Sequence, residues 1–166
     1  MNNVTDAALQ ALATRVAELL QQEGQMLVLA ESCTGGWVAK ICTDLTGSSG
    51  WFERGFVTYT NESKQEMLGV SDETLERFGA VSEQTVAEMA VGALSHSRAQ
   101  FAVAISGIAG PGGGTAEKPV GTVCFAWVRN GMDAVTESRC FEGDRERIRR
   151  QAVAYALQGA VRQLHG

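Results

Sequence analysis

Met26-Leu27-Val28-Leu29-Ala30-Glu31-Ser32-Cys33-Thr34-Gly35-Gly36 is the stretch on which the fold turns. Its short apolar run follows Gly24 and reads as a buried strand from Met26 to Ala30. Small polar residues and two glycines then lead into a helix from about Gly35 to Asp44. A strand entering a helix through a sharp turn is the unit of an α/β sheet. It exposes the turn's side chains at the carboxyl end of the sheet, where open α/β folds bind ligands.

Upstream, Leu9, Leu12, Val16, Leu19 and Leu20 recur at helical spacing, which predicts a helix over Asp6 to Gln22. Downstream, Gly55 to Thr60 reads as a second strand, and Asn61 as the N-cap of a short helix reaching Leu68. Ser71-Asp72-Glu73 opens another short helix. Ser82-Glu83 caps a longer one carrying Val86, Met89, Ala90, Ala93 and Leu94. Phe101 to Ile105 is a third strand. Gly121 to Val128 and Ala134 to Phe141 read as an antiparallel pair joined at Asn130-Gly131. Asp144 caps a last helix with two apolar faces: Ile148, Ala152, Tyr155, Ala156 and Gly159 on one, and Val153, Leu157, Val161 and Leu164 on the other. One face fits the sheet and the other needs a helix or a second subunit. The expected fold is α/β, a three-layer α/β/α sandwich with a mixed, mostly parallel five-stranded sheet, in one domain over residues 1–166.

Composition narrows the function. The chain has 166 residues, 45% of them hydrophobic and 20% charged, with a net charge of −5. That balance speaks against nucleic acid and anionic membrane surfaces as partners. No stretch approaches the ~18 apolar residues of a membrane helix. The start, from Met1 to Asp6, has neither a basic nor an apolar leader region, so the expectation is a cytoplasmic protein with free thiols. Cys33, Cys42, Cys124 and Cys140 show no zinc-site spacing, and the only histidines are His96 and His165. Glycine is frequent at 19 residues against two prolines, yet it forms no linker.

Four segments could carry chemistry. In Glu31-Ser32-Cys33-Thr34-Gly35-Gly36, Ser32 or Cys33 could be a nucleophile, with backbone N–H groups at the helix start holding an oxyanion. The same residues also fit a plain helix cap. In Tyr59-Thr60-Asn61-Glu62-Ser63-Lys64, a lysine sits in a first helical turn, where the dipole disfavours a cation. That field and burial both favour the neutral amine, which can accept a proton from a serine. An ordinary surface lysine beside Glu62 is the simpler alternative. Ser106-Gly107-Ile108-Ala109-Gly110-Pro111-Gly112-Gly113-Gly114 brings backbone close to a ligand or another strand, and it is not a P-loop. Asp144-Arg145-Glu146-Arg147-Ile148-Arg149-Arg150 offers arginines for a phosphate or carboxylate, or a solvated face of ion pairs. A Cys33–histidine pair has no motif behind it.

Taken in order with Thr46-Gly47-Ser48-Ser49, Gly79-Ala80-Val81-Ser82 and Lys118-Pro119-Val120-Gly121-Thr122-Val123, these segments resemble the CinA C-terminal domain family over nearly the whole chain. Stand-alone members of that family are nicotinamide-nucleotide amidohydrolases (NMN deamidases). The resemblance implies hydrolysis of the carboxamide of nicotinamide mononucleotide in pyridine-nucleotide salvage. It also implies an α/β/α fold, no metal or other cofactor, and a homo-oligomer, without the extra N-terminal domain of some relatives. Joined to the residues, it makes Ser32 the nucleophile, Lys64 its base and Tyr59 a proton relay or orienting group. Thr34, Gly35 and Gly36 would supply the oxyanion site. Ser48, Ser106, Gly107, Gly110 and Arg145 would hold ribose and phosphate. A nucleotide-binding or assembly module without turnover, or an amidase for another small carboxamide, fits the same residues. Ammonia release separates the module without turnover, and competition by free nicotinamide and by the dinucleotide separates the other amidase.

Overall fold

Leu27, Val28, Leu29, Ala30 and Glu31 are all buried, so the first strand has a neighbour on each face and each edge. In the computed structural model, which describes residues 3–166, it is β1 (Leu27–Glu31), paired with β2 (Phe52–Val57) and β3 (Phe101–Gly107) in parallel. The reading of the chain start includes Met1 and Asn2, which lie outside the described residues. β4 (Thr122–Arg129) pairs antiparallel with β3, and β5 (Val135–Cys140) antiparallel with β4. The order is β2-β1-β3-β4-β5. The sheet is therefore mixed, with parallel and antiparallel pairings in equal number rather than a parallel majority of pairs.

Alternation along the strands sends side chains to two cores. Leu27, Leu29, Phe101, Val103, Ile105, Val123, Phe125 and Trp127 join residues of α1 (Asp6–Gln22), α2 (Trp37–Thr43) and α6 (Arg145–His165). Val28, Ala30, Ala102, Ala104, Cys124, Ala126 and Val128 join α3 (Asn61–Leu68), α4 (Asp72–Phe78) and α5 (Glu83–Ser95). The alanines on this second face let α5 lie close to the sheet. Both apolar faces of α6 find partners within the chain: one meets the sheet, and Val153, Leu157 and Leu164 share a core with Leu9, Val16 and Leu20 of α1.

Several boundaries differ from the sequence reading, each for a local reason. The helix α2 starts two residues later than expected, because Gly36 is its N-cap in a left-handed conformation. The second strand ends at Val57, because Thr58–Thr60 turn toward α3, whose N-cap is Thr60 rather than Asn61. Thr60 and Ser63 form a reciprocal capping box there. The β4–β5 pairing starts at Trp127 opposite Val135, so the connection is longer than an Asn130-Gly131 two-residue turn. The Asn130 N–H instead donates to the Gln100 carbonyl at 2.8 Å.

Gly159 marks where α6 touches the sheet. A Cβ there would lie 1.9 Å from Trp127 Cζ2, and Trp127 Nε1 donates to the Ala156 carbonyl at 3.0 Å. Replacing a helical glycine ordinarily favours a helix. Here Gly159→Val should instead lower stability by about 2–3 kcal/mol through overpacking, read as a fall in the urea midpoint at unchanged m-value. An unchanged or higher midpoint would contradict this packing.

Candidate active site

Ser32 follows the last residue of β1, and its N–H donates to the Ile105 carbonyl at 3.0 Å, which extends the β1–β3 register by one step. Behind it, Glu31 is buried at 1% exposure. Its carboxylate accepts from the Thr34 hydroxyl at 2.6 Å and from the Val38 and Ala39 N–H groups at 3.0 Å each. Gly36 has no side chain to cap α2, so Glu31 does so from the strand. This acid takes up N–H groups in the first turn of α2. Thr34, Gly35 and Gly36 line a separate shallow pocket with Trp37, Lys40 and Arg149. The Gly35 and Trp37 N–H groups are already bonded to the Ser32 and Thr34 carbonyls.

The capping box of α3 sets the angle at which Lys64 leaves the helix. Its side chain turns inward and is 1% exposed. Lys64 Nζ lies 2.8 Å from the Thr58 carbonyl, 3.0 Å from Ser32 Oγ and 3.5 Å from the Tyr59 carbonyl. Lys64 takes part in none of the ion pairs among the described residues. With no acid to hold the charge, burial lowers the Lys64 pKa below the ordinary lysine value. The surface-lysine alternative fails on this burial.

The neighbouring thiol has the opposite character for a nucleophile. Burial pushes the Cys33 pKa up to about 12, against which the nearby Arg149 charge is the weaker influence. At neutral pH the thiol stays protonated and unreactive. Both histidines are exposed and bond elsewhere: His96 Nδ1 lies 2.8 Å from the Gly92 carbonyl and His165 Nε2 lies 2.9 Å from Arg15 Nη2.

Ser32 and Lys64 open onto a cleft of about 270 Å³. Tyr59, Ser106, Gly107, Gly110 and Arg145 line it, all of them expected from sequence. Ser106 is 2% exposed and stands opposite Ser32 where the β1–β3 register continues, on the neighbouring strand. Arg145 Nη1 donates to the Gly110 carbonyl at 2.8 Å and Nη2 to the Tyr59 hydroxyl at 3.0 Å. The Tyr59 hydroxyl is thus held by Arg145, and only its carbonyl approaches Lys64. Gly110 has a φ of +80°, and a Cβ there would come 2.5 Å from Val120 Cγ1. That glycine serves loop packing as well as access to the cleft.

Ser48 stands apart. Its 3-10 turn precedes β2, and Trp51, just after that turn, accepts at 2.7 Å from the N–H of Leu27, the first residue of β1. Ser32 lies past the other end of β1, about 16 Å away along a five-residue strand. Within this chain, Ser48 is therefore not among the residues that line the cleft of Ser32 and Lys64.

Ala80 and Val81 also line the cleft, and sequence reasoning gave them no role; Ile108, Gly112 and Gly113 line it from the glycine-rich loop that the sequence brings close to a ligand. The signal was available for Ala80 and Val81, which sit in a motif between two helices. Lys118 Nζ fastens that wall by donating to the Phe78 carbonyl at the end of α4, at 2.6 Å. Among the described residues, no group of three His, Cys, Asp or Glu side chains gathers to hold a metal, and no helix is long and apolar enough to cross a membrane.

The CinA C-terminal domain family matches residues 9–164. The nicotinamide-nucleotide amidohydrolase PncC of Escherichia coli K12 is 58% identical over 155 residues, covering 93% of this chain and 94% of its own. The protein of that name from Enterobacter agglomerans is 51% identical, with 96% and 98% covered. The crystal structure of competence/damage inducible protein CihA from Agrobacterium tumefaciens superposes with a TM-score of 0.91 at 46% identity, over the full length of both chains.

The thiol environments predict a simple labelling pattern. Cys33, Cys42 and Cys124 are buried and Cys140 is exposed. Iodoacetamide at pH 8 should give one adduct per native chain, at Cys140, by peptide mass spectrometry. Rapid labelling of Cys33 would show that its thiol is ionised.

Proposed function

The chain belongs to the CinA C-terminal domain family, and from that premise we propose that its cleft cleaves a carboxamide with Ser32 as nucleophile and Lys64 as general base. The activity is that of a nicotinamide-nucleotide amidohydrolase, converting nicotinamide mononucleotide to nicotinate mononucleotide and ammonia. One observation carries the mechanism: a buried amine with no acidic partner lies 3.0 Å from a serine hydroxyl in an open cleft.

Neutral Lys64 Nζ takes the Ser32 proton as Oγ bonds to the amide carbon. The resulting lysine ammonium gives that proton to the nitrogen as the C–N bond breaks, and ammonia leaves. Water then attacks the Ser32 ester, with Lys64 again taking a proton. Collapse returns the proton to Ser32 Oγ and frees the carboxylic acid, which ionises. The carbonyls of Thr58 and Tyr59 accept from Lys64 throughout and fix its direction. Ser106, level with Ser32 on the neighbouring strand, donates to the carboxamide oxygen as negative charge develops, a contribution of about 3 kcal/mol in comparable sites. Tyr59 accepts from Arg145 and so has its own O–H free to donate toward the departing nitrogen. Ala80, Val81 and Ile108 give the pyridinium ring an apolar wall. Arg145 and the backbone N–H groups of Gly112 and Gly113 meet the phosphate.

The wider reading is of one amidohydrolase domain over residues 1–166, in three α/β/α layers, supported by a separate apolar core on each face of the sheet. A cytoplasmic setting is supported by the four free cysteines. A homo-oligomer is supported by Met67 and Val91, which are 40% and 53% exposed on α3 and α5.

Ammonia release from nicotinamide mononucleotide is the test. Ser32→Ala should lower kcat by about 10³-fold or more, and Lys64→Met by about 10²–10⁴-fold. Because the base must be unprotonated, kcat/KM should rise with pH and level off at a midpoint below about 10.4. Near-normal kcat in either variant overturns the dyad. Wild-type protein that binds the nucleotide without releasing ammonia overturns the enzymatic reading.

A further inference from the structure

The turn that carries Ser32 is fastened from two sides. Glu31 takes up its hydrogen-bond donors, as described above. Its carbonyls are taken up from across the fold, by Arg149 of α6. Arg149 Nε donates to the Cys33 carbonyl at 2.9 Å, and Nη2 to the Thr34 carbonyl at 3.2 Å. A planar guanidinium can meet two successive carbonyls at once, whereas an ammonium acts as a single point charge.

The surroundings set Arg149 apart from its neighbour Arg150, although both guanidiniums lie over Trp37. Arg150 pairs with both Asp6 and Glu146. Arg149 takes part in no ion pair among the described residues, and its guanidinium stacks over Trp37, 5.4 Å from the ring centre. Its strong polar contacts therefore go to the two residues after Ser32. One turn earlier on α6, Arg145 reaches Gly110 and Tyr59. The first turns of α6 thus bind three separate loops of the cleft: the Ser32 turn, the Tyr59 segment and the glycine-rich loop.

We propose that Arg149 is a positioning residue, which holds the Ser32 turn so that Oγ stays within bonding distance of Lys64 Nζ. The proposal rests on Ser32 being the nucleophile. Arg149 does not line the Ser32 cleft, whose arginine is Arg145, so it acts on turnover through the turn rather than on affinity.

The experiment measures kcat and KM for nicotinamide mononucleotide in Arg149→Ala, Arg149→Lys and Ser32→Ala, with the unfolding midpoint of each. Misplacing the nucleophile by about 1 Å is expected to cost up to about 10²-fold. Arg149→Ala should therefore lose at least about tenfold in kcat, with KM within about threefold of wild type. Arg149→Lys should show a similar loss at a near wild-type midpoint, because one ammonium does not bridge both carbonyls. Methylguanidinium added to Arg149→Ala should restore part of kcat and leave Arg149→Lys unchanged. Arg149→Lys with wild-type kcat overturns the proposal. So does an Arg149→Ala defect that follows the fall in midpoint and shows no rescue, since that pattern marks a merely structural role. Ser32→Ala with intact turnover is a separate failure, of the nucleophile assignment itself, and removes the basis for positioning it.

Discussion

The 3.0 Å contact between Lys64 Nζ and Ser32 Oγ is the constraint around which the rest of the cleft is arranged. Burying an amine without a counter-charge disfavours its ammonium form, and the fold bears that cost rather than relieving it with an acid. Thr58 and Tyr59 present carbonyls, which bond an amine N–H in either protonation state. The one carboxylate in the adjoining strand, Glu31, is turned away and saturated by Thr34, Val38 and Ala39. The same carboxylate thus orders the turn without serving as a salt-bridge partner for the lysine.

The sheet makes this arrangement possible. The parallel β2-β1-β3 set ends Thr58, Ser32 and Ser106 at one level, with α3 delivering Lys64 from the side. The antiparallel β4 then returns the chain from the glycine-rich loop, and α6 closes over the ends. The long last helix is anchored on its face of the sheet by Trp127 against Gly159, at the cleft by Arg145 and at the turn after Ser32 by Arg149. Packing in one core is in this way continuous with the geometry of the Ser32–Lys64 pair.

Much of this was legible in the sequence, because the signals were local. The helix Asp6–Gln22 has a full amphipathic period, and its bounds agree with the structure. Ser32 was readable from a strand-to-helix turn, and Lys64 from a cation placed against a helix dipole. What escaped depends on distance through space. Ser48 has the composition of a ligand loop but lies at the opposite end of β1, which only topology reveals. Gly35 and Gly36 read as an oxyanion site, yet they line a pocket apart from the one that Ser32 and Lys64 line. Arg149 was one of four arginines in a cluster, and nothing in the sequence says which of them finds acids and which finds carbonyls. Ala80 and Val81 form a cleft wall because Lys118 bonds the end of α4, a contact of residues forty positions apart.

The lowered pKa of Lys64 is the centre of the account, and it can be measured directly. The chain has only three lysines, Lys40, Lys64 and Lys118, so the side-chain Cε signals of a ¹³C-lysine-labelled sample can each be followed through a pH titration by NMR. Exposed Lys40, paired with Asp44, has its pKa raised and serves as an internal reference. The account predicts that Lys64 loses its proton well below the ordinary lysine value of about 10.4, and below Lys40 in the same sample. A Lys64 midpoint at or above that value would contradict it.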